Sequence, residues 1–218
     1  MSERSHDAEA TRRRILEAAE VVFAEESFSG ARVDVIAARA GVNKRMLYHY
    51  FGDKRGLYVA VVRRMLEHIF EHMHNTLAAA QAEDPVQALA DMLRAYFDTM
   101  QGESTYIKLI MHEAVHGWQT MNAIEQERGS ESLGHDKMDE TLERILPVIE
   151  RGVAEGKLRA DLDPHLSIVL VTMLCRLYVL LRARLEVFWG EPMNTPHRLA
   201  WAREQIVELF LHGFVLRK

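Results

Sequence analysis

The sequence has little cysteine and proline, and it lacks any strand-like pattern. Its 218 residues include one cysteine, Cys175, and five prolines. A single cysteine excludes an intramolecular disulfide framework, which fits a reducing cytoplasm. No stretch alternates with the period of two that marks a half-buried strand, whereas apolar residues recur at helical spacing along most of the chain. The sequence therefore predicts an all-α protein of about nine helices.

A long uncharged apolar run is also absent. The most apolar stretch, residues 166–181, contains Arg176 and is too short and too charged to span a membrane. Residues 1–10 are polar and charged, without the apolar centre of a secretory signal, and we expect them to form a disordered tail. These absences predict a cytoplasmic protein that makes no membrane contact.

Charge is unevenly distributed along the chain. Residues 1–64 carry 12 Lys and Arg against 9 Asp and Glu, although the whole chain has a formal net charge of −5. An acidic protein does not coat nucleic acid indiscriminately, so any DNA contact should be local to the N-terminal part. This distribution favours a specific DNA-binding protein over an architectural one.

Residues 33–51 predict two short helices separated by a tight turn. Gly41 ends the first helix with a residue that is free to adopt a positive φ. Asn43 is a suitable N-cap for a second helix running to about Phe51, in which Leu47 and Phe51 lie four residues apart on one buried face. A helix of about two turns is not stable alone and must be held by packing.

The outward face of this second helix carries unusual residues. Two cations, Lys44 and Arg45, occupy the first turn, where the helix dipole disfavours positive charge. The aromatic run Tyr48, His49 and Tyr50 follows, and so short a helix cannot bury all three. Such a face suits a polyanion with readable base edges, as in the second helix of a helix-turn-helix. The alternative is a solvated basic turn with no binding role.

The rest of the chain predicts a larger helical domain. Asp53 caps a long linking helix, and three cap-plus-proline pairs begin later helices at Pro85, Pro164 and Pro196. Residues 118–134 are polar and contain glycine, so we expect a mobile connector there. The helices at about 164–189 and 196–216 have more apolar surface than one partner needs, which favours a second copy of the chain.

These residues resemble a known family. The segments TRRRILEAAEVVFAEESF and VIAARAGVNKRMLYHYFGDKRGLYVAV are similar to the DNA-binding domain of tetracycline-repressor-like (TetR family) transcriptional regulators. After the disordered tail (1–10), the resemblance implies a three-helix helix-turn-helix domain (11–56) and an effector-binding and dimerisation domain (57–218). It also implies a ligand-responsive homodimer, most simply a repressor, whose last two helices form a four-helix bundle with those of its partner and which binds a palindromic operator in double-stranded DNA.

The resemblance also implies roles for individual residues. Base edges would be read by Lys44, Arg45, Met46 and His49, and phosphates would be contacted by Tyr48, Tyr50 and Lys54. The full predicted DNA-binding set is Arg32, Asn43, Lys44, Arg45, Met46, Tyr48, His49, Tyr50 and Lys54. Two residues depart from the family pattern. Ser27 stands where glycine is usual, which predicts a strained loop, and Arg32 stands where a small hydroxyl residue is usual.

A small-molecule effector, apolar or aromatic, would enter between the middle helices of the C-terminal domain. The candidate lining residues are Phe70, Met92, Tyr96, Met100, Tyr106, Ile110, His112, Leu142, Met173, Leu177 and Tyr178. A stripe of methionine and aromatic residues at helical spacing is, however, more often an ordinary core. No cofactor and no metal is expected.

Two other functions compete with DNA binding. The sequence His112-Glu113-Ala114-Val115-His116 satisfies H-E-x-x-H, in which two histidines bind zinc and the glutamate acts as general base of a hydrolase. The longer metzincin form fails because Gly117 follows at once and no third ligand is specified. The other alternative is a helical interaction protein that does not contact DNA.

Overall fold

The computed structural model describes residues 3–79, 84–128 and 135–215, apart from the side chains of residues 3–5, 70, 72–79, 127–128 and 135–138. Within these ranges the secondary structure is helical, with one isolated β-bridge between Leu158 and Val215. The helices are α1 (Glu3–Gly30), α2 (Val33–Ala40), α3 (Lys44–Phe51), α4 (Lys54–Ala79), α5 (Pro85–Gly102), α6 (Ser104–Val115), α7 (Gln119–Arg128), α8 (His135–Ala154), α9 (Pro164–Trp189) and α10 (Pro196–Phe214).

The chain packs as two compact units. The first comprises Met1–Glu67 and Thr105–His135, and the second comprises His68–Ser104 and Asp136–Lys218. Packing therefore divides the chain at different places from the predicted boundary at residues 56 and 57, which lies in the first turn of α4. The functional boundary predicted there stays a prediction.

The first unit is built around the aromatic contacts of α1 and α4. The ring of Tyr58 meets Phe23 edge-on at 5.0 Å and Phe28 at 5.1 Å, and Tyr58 and Phe23 are buried. Ser27 interrupts α1 with φ 60° and ψ 176°, a region of backbone space that is almost restricted to glycine, so the predicted strain is confirmed. Residues 3–10, predicted to belong to a disordered tail, instead form the start of α1.

The first unit also contains a helix that the sequence did not predict. Residues 119–128 form α7 within the stretch expected to be a mobile connector. Gly117 and Trp118 both have positive φ in the turn between α6 and α7, and Met121 and Ile124 of α7 are buried. The prediction failed because two apolar residues among polar neighbours are a weak periodic signal without the tertiary contact.

In the second unit, α5, α9 and α10 pack against one another. The three predicted cap-plus-proline starts are confirmed: the side chains of Asp84, Asp163 and Thr195 accept hydrogen bonds from backbone N–H groups in the first turns of α5, α9 and α10. The bounds of α9 match the predicted 164–189. Helix α10 ends at Phe214, and residue 216 of its predicted range lies outside the described residues.

Candidate nucleic-acid interface and apolar cavity

Helices α2 and α3 form a helix-turn-helix joined by a three-residue turn. Gly41 has φ 64° and ends α2, with the N–H of Val42 returning to the carbonyl of Ala37. Oδ1 of Asn43 accepts from the N–H of Arg45 at 2.9 Å, which begins α3 at the predicted residue. Leu47 is completely buried and holds α3 against the unit, while Phe51 is half-buried.

The opposite face of α3 points to solvent. Lys44, Arg45 and His49 are exposed, and Met46 and Tyr48 are 38% and 41% exposed. Tyr50 is half-buried and its ring meets that of His49 edge-on at 5.4 Å. The structure thus brings the predicted α3 residues together on one accessible surface of cations, rings and a thioether.

The ammonium of Lys44 has an acidic partner that the sequence analysis missed. Its Nζ lies 2.7 Å from Oδ1 of Asp34 in the first turn of α2, and it also lies over the Tyr48 ring at 5.9 Å. The hydrogen bond from Lys44 holds the pKa of Asp34 below its ordinary value, and the same bond raises the pKa of Lys44. No spacing rule links residues 34 and 44, because the pair exists only once α2 and α3 cross.

Lys54 and Arg32, two further predicted DNA contacts, differ in their surroundings. The Lys54 ammonium donates to the carbonyl of Ser29 at 3.3 Å and lies 4.9 Å from the centre of the Phe28 ring. Burial lowers the pKa of Lys54. This lysine therefore already links α4 to the end of α1, and its ammonium keeps further N–H donors for a phosphate. Arg32 is exposed at the N-cap of α2, where its side chain makes no capping hydrogen bond.

The second unit contains a small apolar cavity among α5, α8, α9 and α10. Two of the predicted effector contacts, Met92 and Tyr96, belong to its lining, which consists of Leu89, Met92, Leu93, Tyr96, Ile149, Ile168, Val171, Thr172 and Phe210. The Tyr96 hydroxyl accepts a hydrogen bond from Nε of Arg176 at 2.7 Å. The hydroxyl of Thr172 donates to a carbonyl of its own helix, so the polar groups of the lining are already bonded.

The other predicted effector contacts lie elsewhere. Met173 and Leu177 do not line the cavity but are exposed on α9, Leu142 is half-buried on α8, and Met100 is completely buried in the core. The hydroxyl of Tyr178 donates to the carbonyl of Met193. Three more, Tyr106, Ile110 and His112, belong to the first unit. The side chain of Phe70 lies outside the described side chains.

The H-E-x-x-H sequence spans the end of α6, and its glutamate points inward. Glu113 is 4% exposed; Oε1 accepts from the Tyr58 hydroxyl at 2.8 Å and Oε2 from the N–H of Met121 at 3.2 Å. Nδ1 of His116 lies 2.7 Å from the carbonyl of His112. A carboxylate with both oxygens bonded inside the unit is a structural acceptor and is not placed as the general base that the hydrolase hypothesis requires.

Helix α9 presents an apolar stripe to solvent. Leu166, Leu170, Leu174, Leu177 and Leu181 follow one another at intervals of three or four residues and are between 41% and 57% exposed. By length and composition α9 could cross a membrane. Yet it contains Arg176 and Arg182, which bond to Tyr96 and Gln101 of α5, and its buried face packs within the second unit.

The fold and the exposed face of α3 define a helix-turn-helix protein with a separate helical domain. Comparison with known proteins supports this classification. A family model described as bacterial regulatory proteins, tetR family, matches residues 15–61, and one described as tetracyclin repressor-like, C-terminal domain, matches residues 85–210. The HTH-type transcriptional repressor NicS of Pseudomonas putida is 32% identical over 177 residues, covering 80% of this chain and 78% of NicS. The chain belongs to the TetR family of transcriptional regulators.

Solved structures share the fold. A TetR family transcription regulator from Marinobacter aquaeolei superposes with a TM-score of 0.69 at 16% identity, covering 98% of this chain and 100% of that one. The ketosteroid transcriptional regulator KstR2 of Mycobacterium tuberculosis gives a TM-score of 0.62 at 22% identity, covering 94% and 95%. As a member of this family, shown by the two family models and by NicS, the chain has a DNA-binding helix-turn-helix and a ligand-binding domain.

Proposed function

We propose that this protein is a cytoplasmic, homodimeric repressor that binds a palindromic operator through α3 and leaves it when a small molecule binds in the C-terminal domain. The observation that carries the proposal is the accessible face of α3, on which two cations and several aromatic side chains project while Leu47 fixes the helix from behind. A face of this kind has the dimensions and the chemistry to enter a major groove.

The residues of α3 divide by chemistry into two roles. Lys44 and Arg45 can donate to guanine O6 and N7, and the Met46 side chain can contact a thymine methyl group. The hydroxyls of Tyr48 and Tyr50 can bond phosphates, which sets the position of the helix without reading sequence. Only a few side chains then carry sequence preference, as is usual for a single recognition helix.

The leucine stripe of α9 supports the homodimer. The exposed leucines of this stripe, at intervals of three and four residues, form a continuous apolar surface. Contact of such a surface with water is unfavourable, so it favours a partner that covers it. Trp201 and Leu209 extend exposed apolar surface onto α10, which packs beside α9. If α9 and α10 of a second copy cover the stripe, the two pairs of helices form a four-helix bundle with twofold symmetry. A dimer with twofold symmetry matches the symmetry of a palindromic operator.

The cavity of the second unit supports an apolar or aromatic effector. Its exposed lining is almost entirely hydrocarbon, since the Tyr96 and Thr172 hydroxyls are already bonded. An effector releases DNA only if it binds the operator-free conformation more tightly than the operator-bound one. A compound that enlarges the cavity between α5 and α9 could supply that difference.

The DNA-binding part is tested by selecting sequences from a random duplex pool and measuring their affinity. We expect an inverted repeat to be enriched, and binding to weaken steeply with salt. Lys44→Ala should lower affinity about tenfold or more, which is a normal cost for a lost base contact. Lys108→Ala is the matched control, because Lys108 is an exposed lysine of α6 and its loss changes the net charge equally. Failure of the wild-type protein to bind duplex DNA would favour the helical interaction protein.

The dimer is tested by sedimentation of variants that place charge on the α9 stripe. The double variant Leu170→Glu and Leu174→Glu should sediment as a monomer, because two carboxylates cannot be buried in an apolar bundle. Val115→Glu, at a residue 78% exposed in the first unit, should leave the dimer intact. A dimer that survives the double variant would place the interface elsewhere.

The effector site is tested by filling the cavity. Toluene, naphthalene and octanol serve as apolar probes, and we expect at least one to raise the melting temperature and weaken operator binding. Val171→Phe puts a ring into the cavity and should abolish that response while operator binding remains. Val187→Phe, at an exposed position near the end of the same helix, is the control and should respond normally. An unaltered response in Val171→Phe would exclude this cavity.

A further inference from the structure

The ion pair between Lys44 and Asp34 lies within the surface that the proposed function assigns to DNA. Nζ of Lys44 and Oδ1 of Asp34 are 2.7 Å apart, and the two side chains are 45% and 58% exposed. The pair joins the first turn of α2 to the first turn of α3. A carboxylate at this place would face a polyanion on binding, and its charge is opposed mainly by the ammonium of Lys44.

An acidic residue in the first turn of α2 has an ordinary explanation. It interacts favourably with the positive end of the helix dipole, and this could matter because Arg32 provides no side-chain cap. That role, however, needs no contact with α3. The direct bond to the first cation of α3 therefore calls for a second explanation.

The chemistry of lysine supplies that explanation. A lysine ammonium on a flexible stem is a mobile point charge that binds any phosphate within reach. When one of its three N–H groups is bonded to Asp34, the ammonium is held at one place and keeps two donors for other acceptors. A guanine edge opposite α3 can accept from those donors, whereas the phosphates of an arbitrary sequence must compete with the carboxylate.

We propose that Asp34 is a positioning residue for sequence specificity: it holds Lys44 as a reader of base edges and prevents this lysine from binding phosphates of any sequence. The proposal rests on the proposed function, because it assumes that α3 enters the groove. Lys44 then contributes to operator binding and adds little to binding of other DNA. The acid reduces overall affinity for DNA and increases discrimination between sequences.

The test compares Asp34→Asn with the wild-type protein on the selected operator and on a random duplex, between 50 and 200 mM KCl. For the random duplex we expect affinity to rise about two- to fivefold, and the slope of log K against log salt to steepen by about 0.9, as for one more neutralised phosphate. Operator affinity should change less. Selection from a random pool should lose preference at one base pair in each half-site, a change that a purely structural role for Asp34 would not produce.

Two matched variants separate this effect from general charge. Glu25→Gln also removes one negative charge from the first unit, but Glu25 pairs with Arg39 of α2 at 3.6 Å, and neither belongs to the α3 face. It should leave the base preference unchanged. In a Lys44→Met background, Asp34→Asn should leave the base preference unchanged. Its effect on the salt slope should be no larger than the effect of Glu25→Gln. Melting curves confirm that each variant is folded.

Two results would contradict the positioning role of Asp34. Equal effects of Asp34→Asn and Glu25→Gln would show that Asp34 acts only through net charge. A proportional loss of affinity for both duplexes, with base preference kept, would show that it only stabilises α2. Either result overturns this inference while the proposed function stands. If the wild-type protein does not bind DNA at all, both are overturned.

Discussion

The hydroxyl of Tyr58 donates a 2.8 Å hydrogen bond to Oε1 of Glu113, which joins α4 to α6 inside the first unit. Both residues are buried. Burial, reinforced by the adjacent carboxylate, raises the pKa of the tyrosine hydroxyl, so the tyrosine remains a donor at any ordinary pH. Because Glu113 also receives the N–H of Met121, one carboxylate links α4, α6 and α7.

Removal of this carboxylate should destabilise the protein. Glu113→Ala leaves the Tyr58 hydroxyl and the Met121 N–H buried without their acceptor, and each orphaned group costs about 1–3 kcal/mol. We expect the free energy of unfolding, measured with urea, to fall by about 2–6 kcal/mol. Glu67→Ala, at an exposed residue of the same unit, should change it by less than about 0.5 kcal/mol. Equal effects of the two variants would contradict a structural role for Glu113.

Replacing the strained serine of α1 should stabilise the protein. Ser27 has φ 60° and ψ 176°, where a Cβ is disfavoured by about 1–3 kcal/mol. Glycine removes this strain but loses more entropy on folding, so Ser27→Gly should gain about 1 kcal/mol, or roughly 3 °C in melting temperature. Ser29→Gly is the control: it breaks the same hydroxyl–hydroxyl contact between Ser27 and Ser29 but relieves no positive φ. It should not stabilise.

A hydroxyl at the start of α2 should also stabilise the protein. Arg32 occupies the N-cap with extended backbone angles but forms no side-chain cap. Arg32→Thr supplies an oxygen that can accept from the first turn, a gain of about 1 kcal/mol in the free energy of unfolding. Arg32→Ala removes the same charge without supplying an acceptor. If both variants were equally stable in urea titrations, the missing cap would have no energetic importance.

The buried thiol of Cys175 should make stability fall at alkaline pH. Burial raises the pKa of Cys175 from 9.0 to about 12. Above pH 9 the unfolded chain therefore releases a proton that the folded chain retains, and the folded state is penalised by up to about 1.4 kcal/mol for each pH unit. Below about pH 8 the thiol is protonated in both states and contributes no pH dependence.

The measurement compares the wild-type protein with Cys175→Ala in urea at pH 8, 9, 10 and 11. The alanine variant carries a constant penalty for the lost side-chain volume, so only the change with pH is informative. At pH 10 the wild-type protein should have lost about 1 kcal/mol relative to the variant. A difference that stays constant from pH 8 to 11 would mean that the thiol ionises equally well in the folded chain.

The helix-turn-helix could be predicted from the sequence because its signals are local. Gly41 and Asn43 act on their own neighbours in the chain, and the caps at Asp84, Asp163 and Thr195 bond to N–H groups two or three residues away. The exposure of the α3 face follows from helical geometry once Leu47 is buried. The strain at Ser27 was also predicted, from a single departure in a family pattern.

The partners of Lys44, Lys54 and Glu113 could not be predicted in this way. Asp34 meets Lys44 because two helices cross, Ser29 meets Lys54 across 25 residues, and Tyr58 meets Glu113 across 55. The cavity likewise takes its walls from four helices. Met173 and Leu177 are exposed on α9, although their helical spacing is also typical of core residues. The sequence by itself determined where the capped helices α3, α5, α9 and α10 begin, because a cap acts on N–H groups within a few residues. Only the tertiary structure decided which side chains form ion pairs, which are buried and which are exposed, because these contacts depend on how helices distant in the chain pack.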